Sequence, residues 1–240
     1  MEAAGDDGAA RGTAVVSLVL EGVNFGYSDK DFALSIDHLK ISRGETVALV
    51  GPSGSGKTTL LNLIAGILSP DRGLIQLGEQ SLTALGRTQR RRQRLCNIGM
   101  IFQSFELLDY LDVRDNILLQ ARLAPGVLIG PELQQQAYAI AERLGLADKW
   151  RRPITALSQG ERQRVAACRA LLLNPELVLA DEPTGNLDPA NKRVVLDQLI
   201  AVCKERESIL LTVTHDHSLL PSFDRVVDMA TLLTQQGTAA

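Results

Sequence analysis

Thr46-Val47-Ala48-Leu49-Val50-Gly51-Pro52-Ser53-Gly54-Ser55-Gly56-Lys57-Thr58 joins an apolar run to a glycine-rich loop. A run without polar alternation suits a strand buried on both faces, as in a parallel sheet. The loop that follows fits G-x-x-x-x-G-K-[ST] at each fixed position, and the chemistry of phosphate binding needs those residue types. Glycines let successive backbone N–H groups converge on phosphate oxygens without interference from a Cβ. The helix that follows points its partly positive N-terminus at the same place. Lys57 can reach the β- and γ-phosphates, and the Thr58 hydroxyl can ligate Mg²⁺. A turn merely rich in glycine could match the pattern by chance; the preceding strand and following helix are the context that separates the two. Downstream, Leu60, Ile64, Ile67 and Leu68 recur at helical spacing until Ser69-Pro70-Asp71 stops the helix.

Outward from this stretch, short apolar strands alternate with longer helical patterns, which argues for an α/β fold. Buried strands are expected at Leu177-Val178-Leu179-Ala180 and at Ile209-Leu210-Leu211-Thr212-Val213-Thr214. Residues 14–20 read as an edge strand following a disordered tail. The middle, about 105–157, is mostly helical pattern broken at Pro125-Gly126 and Gly130-Pro131, so it reads as a helical insertion. Over 240 residues a net charge of -3 gives no electrostatic reason to expect a nucleic-acid partner. Cys96, Cys168 and Cys203 lack metal-site spacing and are expected to be structural thiols of a reducing compartment. No stretch approaches the ~20 apolar residues of a membrane span, and the acidic start is unlike a signal peptide. A soluble, cytoplasmic chain is the expectation.

The strand at 177–180 delivers Asp181 and Glu182 to the edge where open parallel sheets bind ligands. Neighbouring strand residues point to opposite sides, so Asp181 is placed to hold a Mg²⁺ shell and Glu182 to orient or deprotonate an attacking water. By itself such a pair is better explained by a solvated turn or helix cap, and it gains weight only with the phosphate loop in the same chain. Further motifs follow in a fixed order. Leu157-Ser158-Gln159-Gly160-Glu161-Arg162-Gln163-Arg164-Val165 resembles the signature sequence of ABC ATPases. Asp181-Glu182-Pro183-Thr184-Gly185-Asn186-Leu187-Asp188 resembles their Walker B and D-loop, and Thr214-His215-Asp216 their switch histidine. Gln103 matches the Q-loop glutamine and Tyr27 the aromatic that stacks on adenine. The chain departs from the family at Gln159, where the signature usually has glycine; Gly160 is kept. Ser158 and Glu161 also form an S-x-x-E capping box that any helix could use.

The resemblance implies an α/β P-loop NTPase fold, with a RecA-like parallel core sheet, an antiparallel β edge and an inserted helical subdomain. It implies a core over residues 14–104 and 165–234, a helical signature subdomain over 105–164, and tails at 1–13 and 235–240. It implies an ATPase whose catalytic residues are Glu182, His215, Gln103 and Lys57. ATP would be held by Tyr27, Gly51, Pro52, Ser53, Gly54, Ser55, Gly56, Lys57, Thr58, Thr59 and Asp188, with Ser158, Gly160 and Glu161 acting across a dimer; Thr58, Gln103 and Asp181 would hold Mg²⁺. Partners would be a second copy, or a related ATPase subunit, arranged head-to-tail, and an integral membrane subunit with an extracytoplasmic domain. The chain would then sit on the cytoplasmic face of the cell membrane through that partner. Runs 98–108 and 181–188 resemble the lipoprotein-releasing, macrolide-exporting and cell-division branch (LolD, MacB and FtsE types). A soluble ABC ATPase serving an assembly process remains open at this point. The arginine run Arg87, Arg90, Arg91, Arg92 and Arg94 reads as a solvated helix face or as a contact with the membrane partner or anionic headgroups.

Overall fold

The computed structural model describes residues 17–28 and 32–233. In chain order the strands are β1 (Ser17–Gly26), β2 (Ala33–Ser42), β3 (Thr46–Val50), β4 (Arg72–Leu77), β5 (Gln80–Ser81), β6 (Ile98–Ile101), β7 (Leu177–Asp181), β8 (Ile209–Val213) and β9 (Arg225–Asp228). The helices are α1 (Lys57–Ile64), α2 (Arg87–Asn97), α3 (Val113–Leu123), α4 (Pro131–Arg143), α5 (Gln159–Leu171), α6 (Pro189–Glu205) and α7 (Met229–Leu232).

Strands β6-β7-β8-β3-β9 form one sheet in that order, and each neighbouring pair is parallel. Their uninterrupted apolar character follows from burial on both faces. Val47, Leu49, Leu177, Leu179, Ile209 and Leu211 pack into one core, shared with α1 and the second sheet. The residues between them, Ala48, Val178, Ala180 and Leu210, pack into the other, shared with α3, α4, α5 and α6. The period of two along a strand therefore splits each apolar run between two cores.

The second sheet, β2-β1-β4-β5, is antiparallel. β1 lies between β2 and β4, so the expected edge strand is an interior one, and within the described residues it starts at Ser17 and continues to Gly26. Its register with β4 shifts between Glu21 and Asn24. At this bulge Gly73 has φ 97, and a Cβ there would stand 2.4 Å from the Gly22 carbonyl oxygen. Gly73→Ala is expected to lower stability by at least ~1–3 kcal/mol, because backbone can yield less than a side chain. The check is a fall in the urea midpoint at unchanged m-value.

The helix expected to reach Leu68 ends at Ile64. Gly66 takes φ 64, and the amides of Ile67 and Leu68 turn back to the Asn62 carbonyl, closing the helix a turn before the sequence pattern stops. Ile67 is left about half exposed. Strand β8 stops at Val213, one residue short of the expected end. Helix α5 runs unbroken through Arg164 and Val165 into the apolar run that carries it to Leu171. Cys168 and Cys203 are buried; burial pushes the Cys168 thiol up and the Cys203 thiol to about 12. The expected tails at 1–13 and 235–240 lie outside the described residues.

Candidate functional site

Parallel pairing puts the C-terminal ends of β7, β8 and β3 side by side. Asp181 pairs with Val213, and Val213 pairs with Leu49, so the acidic pair and the glycine-rich loop leave the sheet in adjacent rows. The loop turns through Gly51, Gly54 and Gly56 at φ 151, 79 and 94. Gly56 has a second reason to be glycine: a Cβ there would meet the Phe32 ring at 2.8 Å. α1 starts with no acidic residue in its first turn, so its N-terminal amides face the loop without an internal anion. The Lys57 ammonium donates to the Gly51 and Pro52 carbonyls, both at 2.8 Å.

The Thr58 hydroxyl donates to Asp181 Oδ2 at 2.9 Å. Partial burial raises the Asp181 pKa, the Thr58 hydrogen bond opposing it. A hydroxyl beside a half-buried carboxylate is a hard oxygen pair that suits Mg²⁺, and a bound cation would relieve the burial cost. Glu182 does not continue the strand. It enters the left-handed region at φ 46 while its N–H donates to the Val213 carbonyl at 3.0 Å. For a non-glycine residue that conformation is strained, and such strain concentrates at functional positions. The turn brings Glu182 Oε2 to 2.9 Å from His215 Nδ1. A Cβ at Gly185 would stand 3.3 Å from Glu182 Oε2 and 3.5 Å from Gln103 Nε2, so those two groups converge on a position kept open by glycine.

Around these groups lies a cleft of ≈ 370 Å³. Of the residues expected from sequence, Tyr27, Ser53, Gly54, Gly56, Lys57, Thr58, Thr59, Gln103, Asp181 and Glu182 line it. Tyr27 packs edge-on against Phe25 with ring centroids 4.8 Å apart, and its hydroxyl lies 3.2 Å from Thr59 Oγ1. Phe32, which sequence reading passed over, adds a tilted ring 5.8 Å from Tyr27 and also lines the cleft.

Ser158, Gly160, Glu161 and Asp188 do not line this cleft. Ser158 and Glu161 cap α5 reciprocally: the Ser158 N–H donates to Glu161 Oε2 at 2.8 Å and the Glu161 N–H to Ser158 Oγ at 3.3 Å. The first of these bonds is the main reason the Glu161 carboxyl lies below its ordinary pKa. Gln159 is the first residue of α5 with ordinary helical backbone, so its substitution for glycine brings no strain. Asp188 caps α6 by accepting the Asn191 backbone N–H at Oδ1 (3.2 Å), and the Asn191 side-chain amide donates to Asp188 Oδ2 at 2.6 Å. The same Asn191 side chain would lie 3.7 Å from a Cβ at Gly160. The α5 start and the α6 start therefore stand side by side.

Two arginines of the basic run face inward. Arg90 donates to Ser69 Oγ, and Arg94 donates to the Ala65 and Gly66 carbonyls at the end of α1, a favourable place for a cation. Arg87, Arg91 and Arg92 are exposed. Sequence reading also passed over Lys192, which pairs with Asp216 at 3.0 Å beside His215. Ser218 and then Lys192 hold the Asp216 carboxyl down to about 2. Among the described residues no helix is long and apolar enough to cross a membrane.

A family model described as ABC transporter matches residues 34–185. The lipoprotein-releasing system ATP-binding protein LolD 1 of Rhodopirellula baltica is 42% identical over 182 residues, 76% of this chain and 79% of that one. The phosphonates import ATP-binding protein PhnC of Chromohalobacter salexigens is 38% identical over 217 residues, 86% of this chain and 78% of its own. Among solved structures, the dimeric bacterial ABC transporter cassette MJ0796 matches with a TM-score of 0.78 at 30% identity, over 88% of this chain and 93% of that chain. CbiO1 of Clostridium perfringens, part of the ABC transporter complex cbiONQ, matches with a TM-score of 0.80 at 29% identity, over 89% and 84%. These folds bear out the P-loop NTPase architecture read from the sequence. Family model, relatives and fold agree with the geometry of the cleft: the chain belongs to the ABC transporter family, as an ATP-binding subunit that hydrolyses ATP.

Proposed function

We propose that the chain works as one half of a head-to-tail pair that closes on ATP and drives a separate integral membrane subunit. The observation that carries this reading is the position of Ser158 and Asp188, exposed at the adjacent starts of α5 and α6 and outside the lining of the cleft that holds Lys57 and Glu182. A helix start offers N–H groups to an anion, and the start of α5 does not line the chain's own cleft. Supplying a second molecule's cleft gives that helix start a ligand. The dimeric form of the solved cassette supports a pair.

In this reading the 51–58 loop and Lys57 hold the phosphates, while Tyr27, backed by Phe32 and beside Thr59, stacks on adenine. Thr58, Asp181 and Gln103 are the residues that would hold Mg²⁺; bound there, it would supply charge neutralisation at the β- and γ-phosphate oxygens. Glu182 orients the water and takes its proton, and His215 steadies the Glu182 carboxylate and the γ-phosphate end of the cleft. Ser158, Gly160, Glu161 and Asp188 serve the partner's nucleotide. Tyr27→Ala is expected to weaken nucleotide binding by roughly 1–3 kcal/mol, the worth of one base–aromatic stack. An unchanged Kd in a fluorescent-nucleotide titration would return Tyr27 to a packing role.

The work done is proposed to be lipoprotein release or a related export or mechanical task at the cytoplasmic face of the cell membrane. Its support is the 42% identical lipoprotein-releasing relative and the 98–108 and 181–188 runs. Phosphonate import is the second reading, favoured by a relative 38% identical over more of the chain. Purification from detergent-solubilised membranes decides between them. A co-purifying membrane protein with a large extracytoplasmic domain supports the first, and a small permease supports the second. Recovery without any integral membrane protein would favour a soluble assembly ATPase.

A further inference from the structure

Just past Gln103 the chain makes a turn that ordinary residues avoid. Phe105 and Glu106, neither of them glycine, stand consecutively in the left-handed region at φ 65 and 49. What holds them there comes from α5. Arg169, 7% exposed, donates through Nη2 to the Phe105 carbonyl at 2.8 Å and through Nη1 to the Glu106 carbonyl. Two parallel donors on one planar cation fix the direction of two successive peptide groups, which a single-point donor cannot do. A cation is rarely buried at such a position unless its donors are satisfied, and here carbonyls of the turn satisfy it. The segment is gripped on its other flanks as well. Asn186, in the loop after Glu182, donates to the Gln103 carbonyl at 2.9 Å, and buried Asn116 holds the Leu108 main chain from both sides.

We propose that Arg169 is a positioning residue for ATP hydrolysis: by clamping the Phe105–Glu106 turn to the helix that begins at Ser158, it makes the placement of Gln103 depend on where that helix sits. Arg169 is not among the residues that line the cleft. It acts through the turn, so that the α5 start, serving a partner's nucleotide, and Gln103, serving the chain's own, move as one piece. This rests on the reading of Gln103 given above.

The test compares Arg169→Met, Arg169→Lys, Glu106→Gly and the Arg169→Met/Glu106→Gly double variant in steady-state turnover, ATP affinity and Mg²⁺ titration. Arg169→Met is expected to lower kcat by about 10–100-fold, the usual loss when a supporting partner of a working side chain is removed. Its Kd for ATP should stay close to that of the parent protein, and half-maximal turnover should need more Mg²⁺. Glu106→Gly leaves turnover near that of the parent, because glycine takes positive φ unaided. For the same reason the double variant should recover much of the lost kcat, a coupling that simple loss of packing does not produce. Arg169→Lys keeps the cation but gathers its donors on one nitrogen, without the planar fork, and should fall between. Where Arg169→Met does not fold, Arg169→Lys with and without Glu106→Gly is read in the same way.

Unchanged kcat in folded Arg169 variants overturns the proposal, and so does a loss that Glu106→Gly fails to recover. Gln103→Ala is the control. If it shifts neither turnover nor Mg²⁺ dependence, the reading of Gln103 fails and this inference fails with it. If it shifts both while the Arg169 variants do not, Arg169 alone is overturned.

Discussion

Glu182→Gln is expected to cut steady-state ATP hydrolysis by about 10²–10⁴-fold while leaving ATP binding in place, the range lost with a positioned general base. Glutamine keeps the length and shape of the side chain, so the left-handed turn at φ 46 and the Val213 hydrogen bond survive the change. What it loses is the carboxylate's ability to accept a proton, at the atom that stands 2.9 Å from His215 Nδ1. With turnover stopped and ATP still bound, the paired form should accumulate. Size exclusion with light scattering should then show an ATP-dependent dimer that disappears when nucleotide is removed. Phosphate release at the parent rate would remove Glu182 as the base. A strictly monomeric Glu182→Gln protein at saturating ATP would remove the shared-site reading instead.

Lys57→Met is expected to lower kcat/KM for ATP by about 10²–10³-fold, the cost of removing one charged donor from a phosphoryl-transfer site. Lys57 stands in the first turn of α1, where the helix dipole disfavours a cation. Its two bonds to the Gly51 and Pro52 carbonyls offset part of that cost and keep the ammonium at the mouth of the loop. Such a placement makes sense when an anion completes the arrangement. Methionine retains the stem but not the charge, so it should leave the nucleotide-free melting temperature level or slightly raised while affinity collapses. The two opposite signs separate a binding role from a folding role. Parent-like kcat/KM in Lys57→Met would end the assignment of this lysine to the phosphates.

The glycine-rich loop, the buried strands and the acidic pair were readable because each depends on neighbours along the chain. An unbroken apolar run, a fixed glycine spacing and a capping box are all local patterns, and β3, β7, β8 and the Ser158–Glu161 cap follow them. Where the reading went astray, a distant contact had overridden the local pattern. Helical spacing runs on to Leu68, but the positive φ of Gly66 closes α1 at Ile64, against Arg90 and Arg94 from α2. β1 looks like an edge strand because nothing in its own residues records that β4 will pair beside β2. A strand pattern also places Asp181 and Glu182 on opposite faces, whereas the turn at Glu182 swings its carboxylate towards His215.

Arg169 left a faint trace, a lone charge inside the apolar run Val165–Leu173, but its partners are more than sixty residues away. By itself, then, the sequence determined where the glycine-rich loop lies, which carboxylates stand at the strand end and what class of fold carries them. These rest on backbone freedom and side-chain period, which a chain carries before it folds. Only the tertiary structure decided that Glu182 meets His215, that Glu182 and Gln103 converge at Gly185, that Phe32 lies against Tyr27, and that Ser158, Gly160, Glu161 and Asp188 stand outside the lining of the chain's own cleft. Those relations exist only once parallel pairing has lined up β7, β8 and β3 and two cores have closed on the sheet, because pairing and packing join residues that are far apart in the chain.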